Sequence, residues 1–380
     1  MSKRRRALTL LFCLALFHGS GFAQPPAAKH SFTVQQAIDY AHRNNVQVKN
    51  ALLDLQIQQQ TNRDITSAAL PSVTGSLGAT DYLKIPTSLI PGEVFGQPAG
   101  TYIPVQFGTK YNSTASLQLQ QLLFDGQVFI GLQARATSLE WRRKYSEVTE
   151  EVIKTNIYKI YYQLVASKTQ IDLLDANINR LNKLEHDTRE LYKNGFAEKL
   201  DLDKISVQIS NLQTEKIKTL NNIDIGYIGL KTLMGMPVKD SLTLADALDE
   251  EKLKEDFSND TSYQYTDRKD FQYLQLSKKL NEFNIRRYKL SYFPTLSLNG
   301  SYSKNAQRNS FSFFGKGDWF TTSYVGLNIA IPIFDGFAKD ARIKKSKLEL
   351  QQTENQISNL QLSIDNEVLQ AKLNFKSATS

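Results

Sequence analysis

The stretch "KYNSTASLQLQQLLFDG", Lys110 to Gly126, sets the plan of this chain. Tyr111, Ala115, Leu117, Leu119 and Leu123 share one face of an extended backbone, while Asn112, Thr114, Ser116, Gln118 and Gln120 share the other. That period of two marks a strand. After Gly126 the texture turns helical. A second stretch, "TTSYVGLNIAIPIFDG" from Thr321 to Gly336, repeats the plan. Val325, Leu327, Ile329 and Ile331 oppose Tyr324, Asn328 and Ala330, and FDG again precedes helix-forming sequence. The two FDG glycines are 210 positions apart.

Each FDG reads as the junction where a strand leaves its sheet and becomes a helix. Asp125 and Asp335 are placed to cap free N–H groups of that helix, and Gly126 and Gly336 to permit the bend. Capping accounts for the aspartates without a catalytic role. Upstream, a proline-free run from Thr33 to Leu70 is expected to be helical until Pro71 stops it. Arg268 to Tyr292 is expected to do the same before Pro294, 223 positions after Pro71. Alternating sequence follows each proline: Ser72 to Phe124 in one case, and "TLSLNGSYSKN", with Leu296, Leu298 and Tyr302 on one face, in the other. Helix, β-hairpin and long helix therefore occur twice, as an internal duplication. For a single strand, a half-buried place in a soluble sheet is the natural reading. Repeated over four strands, an apolar face opposite a polar one suits lipid outside and water inside.

Between the strand pairs lies an unusual length of helix. Gln127 to Lys193 holds 67 residues, about 100 Å at 1.5 Å per residue. Ile157, Ile160, Leu164, Ile171, Leu174, Ile178 and Leu181 keep the 3-4 spacing of a coiled-coil seam. "KNGFAEK" follows, with Asn194 and Gly195 as a helix C-cap. The seam resumes at Leu202, Ile205, Ile209 and Leu212 and returns at Ile223, Leu230 and Leu233. This predicts an antiparallel coiled-coil hairpin.

The ends and the composition narrow the function. Lys3 to Arg6, the apolar run Ala7 to Phe17 and "GFA" before Gln24 form a secretory signal pattern. Without it the formal charge falls from +8 by four, to +4, and a nucleic-acid partner loses its support. Cys13, the single cysteine, lies in that signal, so disulfides, thiol catalysis and thiolate metal sites are not expected. His30, His42 and His186 have no metal-ligand spacing, and neither metal nor cofactor is expected. No phosphate-binding glycine loop is present. The fold class is mainly α with a small β part. The expected organisation is a signal over 1–23 and a first repeat over 24–236, with its β-hairpin at 72–124 and coiled-coil hairpin at 127–234. An acidic connecting segment over 237–267 leads to a second repeat over 268–380, with its β-hairpin at 295–334 and a long helix. Four strands cannot close a membrane barrel, whose smallest form has about eight, and an open edge in lipid leaves backbone groups unpaired. Other copies must supply the missing strands.

In these residues the chain resembles the TolC-type outer membrane efflux proteins. The resemblance covers nearly the whole chain after the signal. It is carried by "SFTVQQAIDYAHRNNVQVKNA" (Ser31 to Ala51), "LYKNGFAEKLDLDKISVQISNLQTEK" (Leu191 to Lys216), "YFPTLSLNGSYS" (Tyr292 to Ser303) and "IPIFDGFAKDARI" (Ile331 to Ile343). It implies a homotrimer in which each protomer lends four strands to one outer membrane barrel and its helices to a periplasmic tunnel. It also implies a periplasmic adaptor protein and an inner-membrane transporter as partners, and a passive conduit rather than an enzyme. The positions matching the adaptor-contacting tip are Asn194, Gly195, Phe196, Ala197, Lys199, Leu200 and Asp201. Glu198 departs from the Ser or Thr common in the family, so the returning helix is expected to lean on Asp201. The second hairpin's tip is expected at about residue 405 by the repeat offset. The sequence thus reads as a fragment or a truncated copy, and no gate residue is assigned. The rival reading is an exported structural coiled-coil protein of the envelope.

Overall fold

The computed structural model describes residues 29–246 and 263–379. The signal expected over 1–23 lies outside the described residues, as does most of the acidic segment. The chain divides into two compact units, one formed from Met1–Val46 with Val152–Asn259 and the other from Gln47–Glu151 with Asp260–Ser380. The first sequence repeat contributes to both, and the second lies wholly within the latter.

The first unit contains β1 (Lys29–Phe32), helix α1 (Val34–Asn44), most of helix α3 (Gly126–Lys193), helix α4 (Lys199–Met234) and β6 (Ser241–Leu244). The span expected as one helix from Thr33 to Leu70 is broken at Asn45, giving α1 and α2 (Val46–Ser67). The cause is tertiary. The Asn45 backbone turns extended, its amide Nδ2 donates to the Leu233 carbonyl at 2.6 Å, and its N–H ends α1 on the Ala41 carbonyl. A Cβ at Gly235 would sit 2.5 Å from the Asn44 carbonyl, so this contact also requires glycine at the end of α4. α1 begins with a capping box in which Thr33 and Gln36 exchange side-chain and backbone hydrogen bonds. The connecting segment expected to be irregular begins with a strand: β6 pairs in parallel with β1, Lys29 opposite Ser241 through Phe32 opposite Leu244.

The predicted coiled-coil seam holds. Ile157, Leu164, Ile178, Ile209 and Leu230 are buried, and the other seam residues are at least half-covered. Tyr161, absent from the aliphatic seam, is fully buried beside them. Its hydroxyl donates to the Phe32 carbonyl at 2.8 Å and accepts from the Asp246 N–H at 3.1 Å. Burial pushes this phenol up to about 12. One buried side chain thereby ties the long helix to the residues flanking β1 and β6.

The second unit holds β2 (Ser72–Asp81), β3 (Thr87–Pro91), β4 (Tyr102–Gln106), β5 (Tyr111–Phe124), the start of α3, helix α5 (Lys269–Leu290), β7 (Thr295–Arg308), β8 (Phe320–Ala330) and helix α6 (Ala338–Thr379). β3 and β4 make a small hairpin of their own between β2 and β5, where the sequence analysis expects a single β-hairpin over 72–124. α5 lies against α6 through Asn281 Nδ2 donating to Thr353 Oγ1 at 2.9 Å and Lys278 paired with Glu354 at 2.9 Å. It meets the start of α3 where Tyr273 stacks on Trp141, centroids 5.3 Å apart, and Trp141 Nε1 donates to Ser277 Oγ at 2.8 Å. No helix among the described residues is long and apolar enough to cross a membrane.

Candidate functional site

The four long strands form one antiparallel sheet in the order β2-β5-β7-β8. Among the described residues the outer edges of β2 and β8 meet no strand, and they do not meet each other. The strands hold 10, 14, 14 and 11 residues. That matches the length of about 9–11 residues at which a tilted strand crosses a bilayer.

Register sorts the residues onto two faces. Val73 lies opposite Leu119, Leu77 opposite Ala115, Leu117 opposite Tyr302, Leu298 opposite Leu327, and Leu296 opposite Ile329. Among the described residues most of this apolar face is bare, with Leu77 77% exposed, Val325 76% and Leu327 67%; only near the hairpin loops are Ser113 and Ala306 buried. At about 25 cal/mol per Å² of apolar surface, a sheet face left in water forgoes most of what its composition could contribute. A bare apolar patch of this extent calls for lipid or a partner.

The opposite face is polar and uncharged. Ser76 Oγ meets Ser116 Oγ at 2.7 Å, and Thr114 Oγ1 donates to Asn305 Oδ1 at 2.9 Å, each pair directly across the ladder. Gln118 lies opposite Ser301, and Gln120 opposite Asn299. Within the four strands this face carries no Asp, Glu, Lys, Arg or His. The charged residues Asp81, Lys304 and Arg308 fall on the apolar side, toward the hairpin loops.

The sequence offers Tyr82, Tyr102, Tyr111, Tyr302, Trp319, Phe320 and Tyr324 as aromatic girdle candidates; of these, Tyr111 and Tyr302 lie on the apolar face. Tyr324 and Phe320 do not: they oppose Ser301 and Asn305 on the polar face. Tyr102 belongs to the small β3–β4 hairpin. Phe311 and Phe313 complete a cluster with Tyr111, all centroids within 5.6 Å. Both stand in a polar loop outside any alternating pattern, so periodicity could not find them. At the helix end Phe124 packs on Phe129, 5.6 Å away. Leu123, expected on the apolar face, sits instead at a register shift, and Phe124 takes the place opposite Leu296. An extra residue at a sheet margin twists the strand toward its exit.

The two FDG junctions differ. Asp125 Oδ1 accepts from the Gln127 N–H at 2.7 Å, and α3 starts at Gly126 without any left-handed residue. Gly126 is buried, and a Cβ there would lie 2.7 Å from Leu290 Cβ. At the second junction β8 stops at Ala330, so Ile331, predicted within the strand, lies outside it. Asp335 Oδ2 accepts from the Lys339 N–H at 3.0 Å. Gly336 and Phe337 are both left-handed, φ 65° and 67°.

At the hairpin tip the Gly195 N–H donates to Tyr192 and the Phe196 N–H to Leu191, with Gly195 at φ 78°. This is a Schellman closure of α3. Phe196 is 81% exposed and Leu200 is also exposed, whereas Ala197 is half-covered. Glu198 occupies the N-cap of α4 with no side-chain hydrogen bond. The helix begins at Lys199, directly after Glu198, and Asp201 stands in its first turn. Lys193 Nζ, 2.7 Å from Glu190, holds that carboxyl below its usual range.

The chain matches no sequence-family profile. It is 21% identical over 362 residues to the protease secretion protein PrtF of Dickeya chrysanthemi, covering 94% of this chain and 74% of that protein. It is 17% identical over 228 residues to the outer membrane protein TolC of Vibrio cholerae, covering 59% of this chain and 51% of TolC. Among solved structures, the outer membrane protein VceC of Vibrio cholerae superposes with a TM-score of 0.67 at 15% identity, over 89% of this chain and 77% of VceC. The CmeC outer membrane channel of Campylobacter jejuni gives 0.69 at 16% identity, over 88% of this chain and 69% of CmeC.

Proposed function

We propose that the chain is a TolC-type outer membrane channel protein, the outer membrane conduit of a tripartite efflux or type I secretion system, a reading supported by its likeness to PrtF and TolC and by the shared fold of VceC and CmeC. The observation that carries this reading is the two-faced open sheet. Its bare apolar face suits lipid, its uncharged polar face suits a water-filled pore, and its unpaired edges suit closure with other copies. A soluble structural protein would gain nothing from holding such a face bare.

In this reading three copies close a barrel of twelve strands, and the coiled-coil hairpins stand in the periplasm. The tip residues Asn194, Gly195, Phe196, Ala197, Lys199, Leu200 and Asp201 meet the adaptor, with Phe196 and Leu200 as apolar anchors. An inner-membrane transporter supplies the energy, and the conduit itself catalyses no reaction. Asp125, Gly126, Asp335 and Gly336 turn the wall of the barrel into the wall of the tunnel, once in each repeat.

Reconstitution tests the proposal. Detergent-extracted protein added to a planar lipid bilayer should give stepwise conductance from a homo-oligomer. Recovery of the full chain as a soluble periplasmic monomer that leaves bilayers silent would reject it.

A further inference from the structure

The two β-hairpins have the same register under the repeat offsets. β2 pairs with β5 so that Ser72 lies opposite Gln120. Moving Ser72 forward by the proline offset of 223 gives Thr295, and moving Gln120 forward by the FDG offset of 210 gives Ala330. Thr295 and Ala330 are opposite each other in the second hairpin. The duplication is therefore exact at the level of strand pairing, although the first hairpin's loop is longer.

That equivalence extends to the sheet's open edges. β5, the second strand of the first repeat, pairs with β7, the first strand of the second. The corresponding pair at the edges is β8, the second strand of the second repeat, with β2 of another copy. Gln120 opposes Asn299 within the chain; their counterparts are Ala330 and Ser76. Leu119 opposes Gly300; their counterparts are Ile329 and Leu77. We propose that β8 of one copy pairs antiparallel with β2 of a second copy in this register, Ala330 opposite Ser76, and that the pairing extends β8 through Ile331–Phe334.

Two further observations support it. The first is facial: the register sets Leu327 and Ile329 against Ala79 and Leu77, apolar against apolar, and Asn328 and Ala330 against Gly78 and Ser76 on the polar face. A slip of one residue would reverse every side chain on one of the strands. The second is length. β5, paired on both sides, runs to Phe124, directly before its Asp125. β8, paired on one side, stops at Ala330, and Ile333, at 93% exposed, is among the residues left over. Ile331–Phe334 are the counterparts of Gln121–Phe124, so the segment lacks a neighbour rather than strand character. Pro332, which cannot donate to a ladder, falls beside the counterpart of the Leu123 bulge, a place where a sheet tolerates proline.

The inference rests on the channel reading but specifies what that reading leaves open, and the experiment separates the two. Four cysteine substitutions, Ser76→Cys, Gly78→Cys, Asn328→Cys and Ala330→Cys, are combined pairwise in the full chain and oxidised in isolated outer membranes. Gly78 has open space for the added side chain. Directly opposite residues come within disulfide reach, and diagonal ones do not. The matched pairs, Ser76→Cys with Ala330→Cys and Gly78→Cys with Asn328→Cys, should give inter-chain cross-links. The crossed pairs, Ser76→Cys with Asn328→Cys and Gly78→Cys with Ala330→Cys, should give at least about fivefold less. Dominance of the crossed pairs, or no cross-link in a protein assembled in the membrane, overturns the register and leaves the channel standing. No cross-link in a chain recovered as a soluble monomer overturns both.

Discussion

LLFDG and PIFDG share three letters and a place in the repeat, yet they turn differently. The first follows β5, an interior strand, and passes directly into helix, with Gly126 pressed against Leu290. The second follows β8, an edge strand, and loosens over Ile331–Phe337 before helix begins at Ala338. Gly126 is needed for space, and Gly336 for its left-handed backbone. The lesson is that a motif's letters fix what a turn can do, while its neighbours decide which of those things it does. A strand held on both sides delivers its chain to the helix in one geometry. A strand held on one side leaves exposed the residues that its missing neighbour would order.

Three paired predictions press on that contrast. If the edge strand faces lipid outward, Leu327→Lys should cost about 2–4 kcal/mol near the midplane. Thr322→Lys, on the polar face, should cost far less. Unfolding of the reconstituted protein in urea compares them, and equal costs would show that the faces are not distinguished by solvent. At the closed junction, Gly126→Ala drives a methyl into Leu290 and should cost about 1–3 kcal/mol. At the open junction, Gly336→Ala meets no atom within 4 Å and should cost only about 1 kcal/mol, from its left-handed backbone. Thermal denaturation in detergent should preserve that order; a reversal would mean that the first junction relaxes more readily than its packing implies. Asp125→Ala should cost about 1 kcal/mol as a lost cap. Asp335→Ala should cost about the same, because it removes the bond from the Lys339 N–H together with a partly exposed pair to the Lys339 ammonium at 3.4 Å that adds well under about 1 kcal/mol. Hydrogen exchange at the Gln127 and Lys339 amides reads the two caps separately.

Much of this was legible in the sequence because it depends on period. The alternation of Leu and Ile with Ser, Asn and Gln identified β5, β7 and β8 and their faces, and placed β2 only within the span of the first β-hairpin. The aliphatic 3-4 spacing identified the hairpin of α3 and α4, and Asn194-Gly195 its turn. What escaped depends on contacts made far along the chain. The break at Asn45 carries no proline or glycine and is set by the Leu233 carbonyl. The four residues of β6 are too few to show a period and become a strand because β1 lies beside them. Leu123 looks like one more apolar-face residue until pairing with β7 leaves it as the bulge. At the tip, Gly195 was readable as the turn, and the structure adds that Phe196 beside it is exposed. The same Schellman closure recurs at Gly235, where the following residue, Met236, is 4% exposed. One closure tucks its apolar residue inward, and the other presents it.

The most direct test of the account is solvent contact at neighbouring positions of β8. Nitroxide labels placed singly from Val325 to Ala330 in the reconstituted protein report collision with oxygen, which concentrates in lipid, and with a water-soluble nickel complex. The account predicts alternation along the strand, with Val325, Leu327 and Ile329 favouring oxygen and Gly326, Asn328 and Ala330 favouring nickel. Accessibilities that run in phase at all six positions would contradict it.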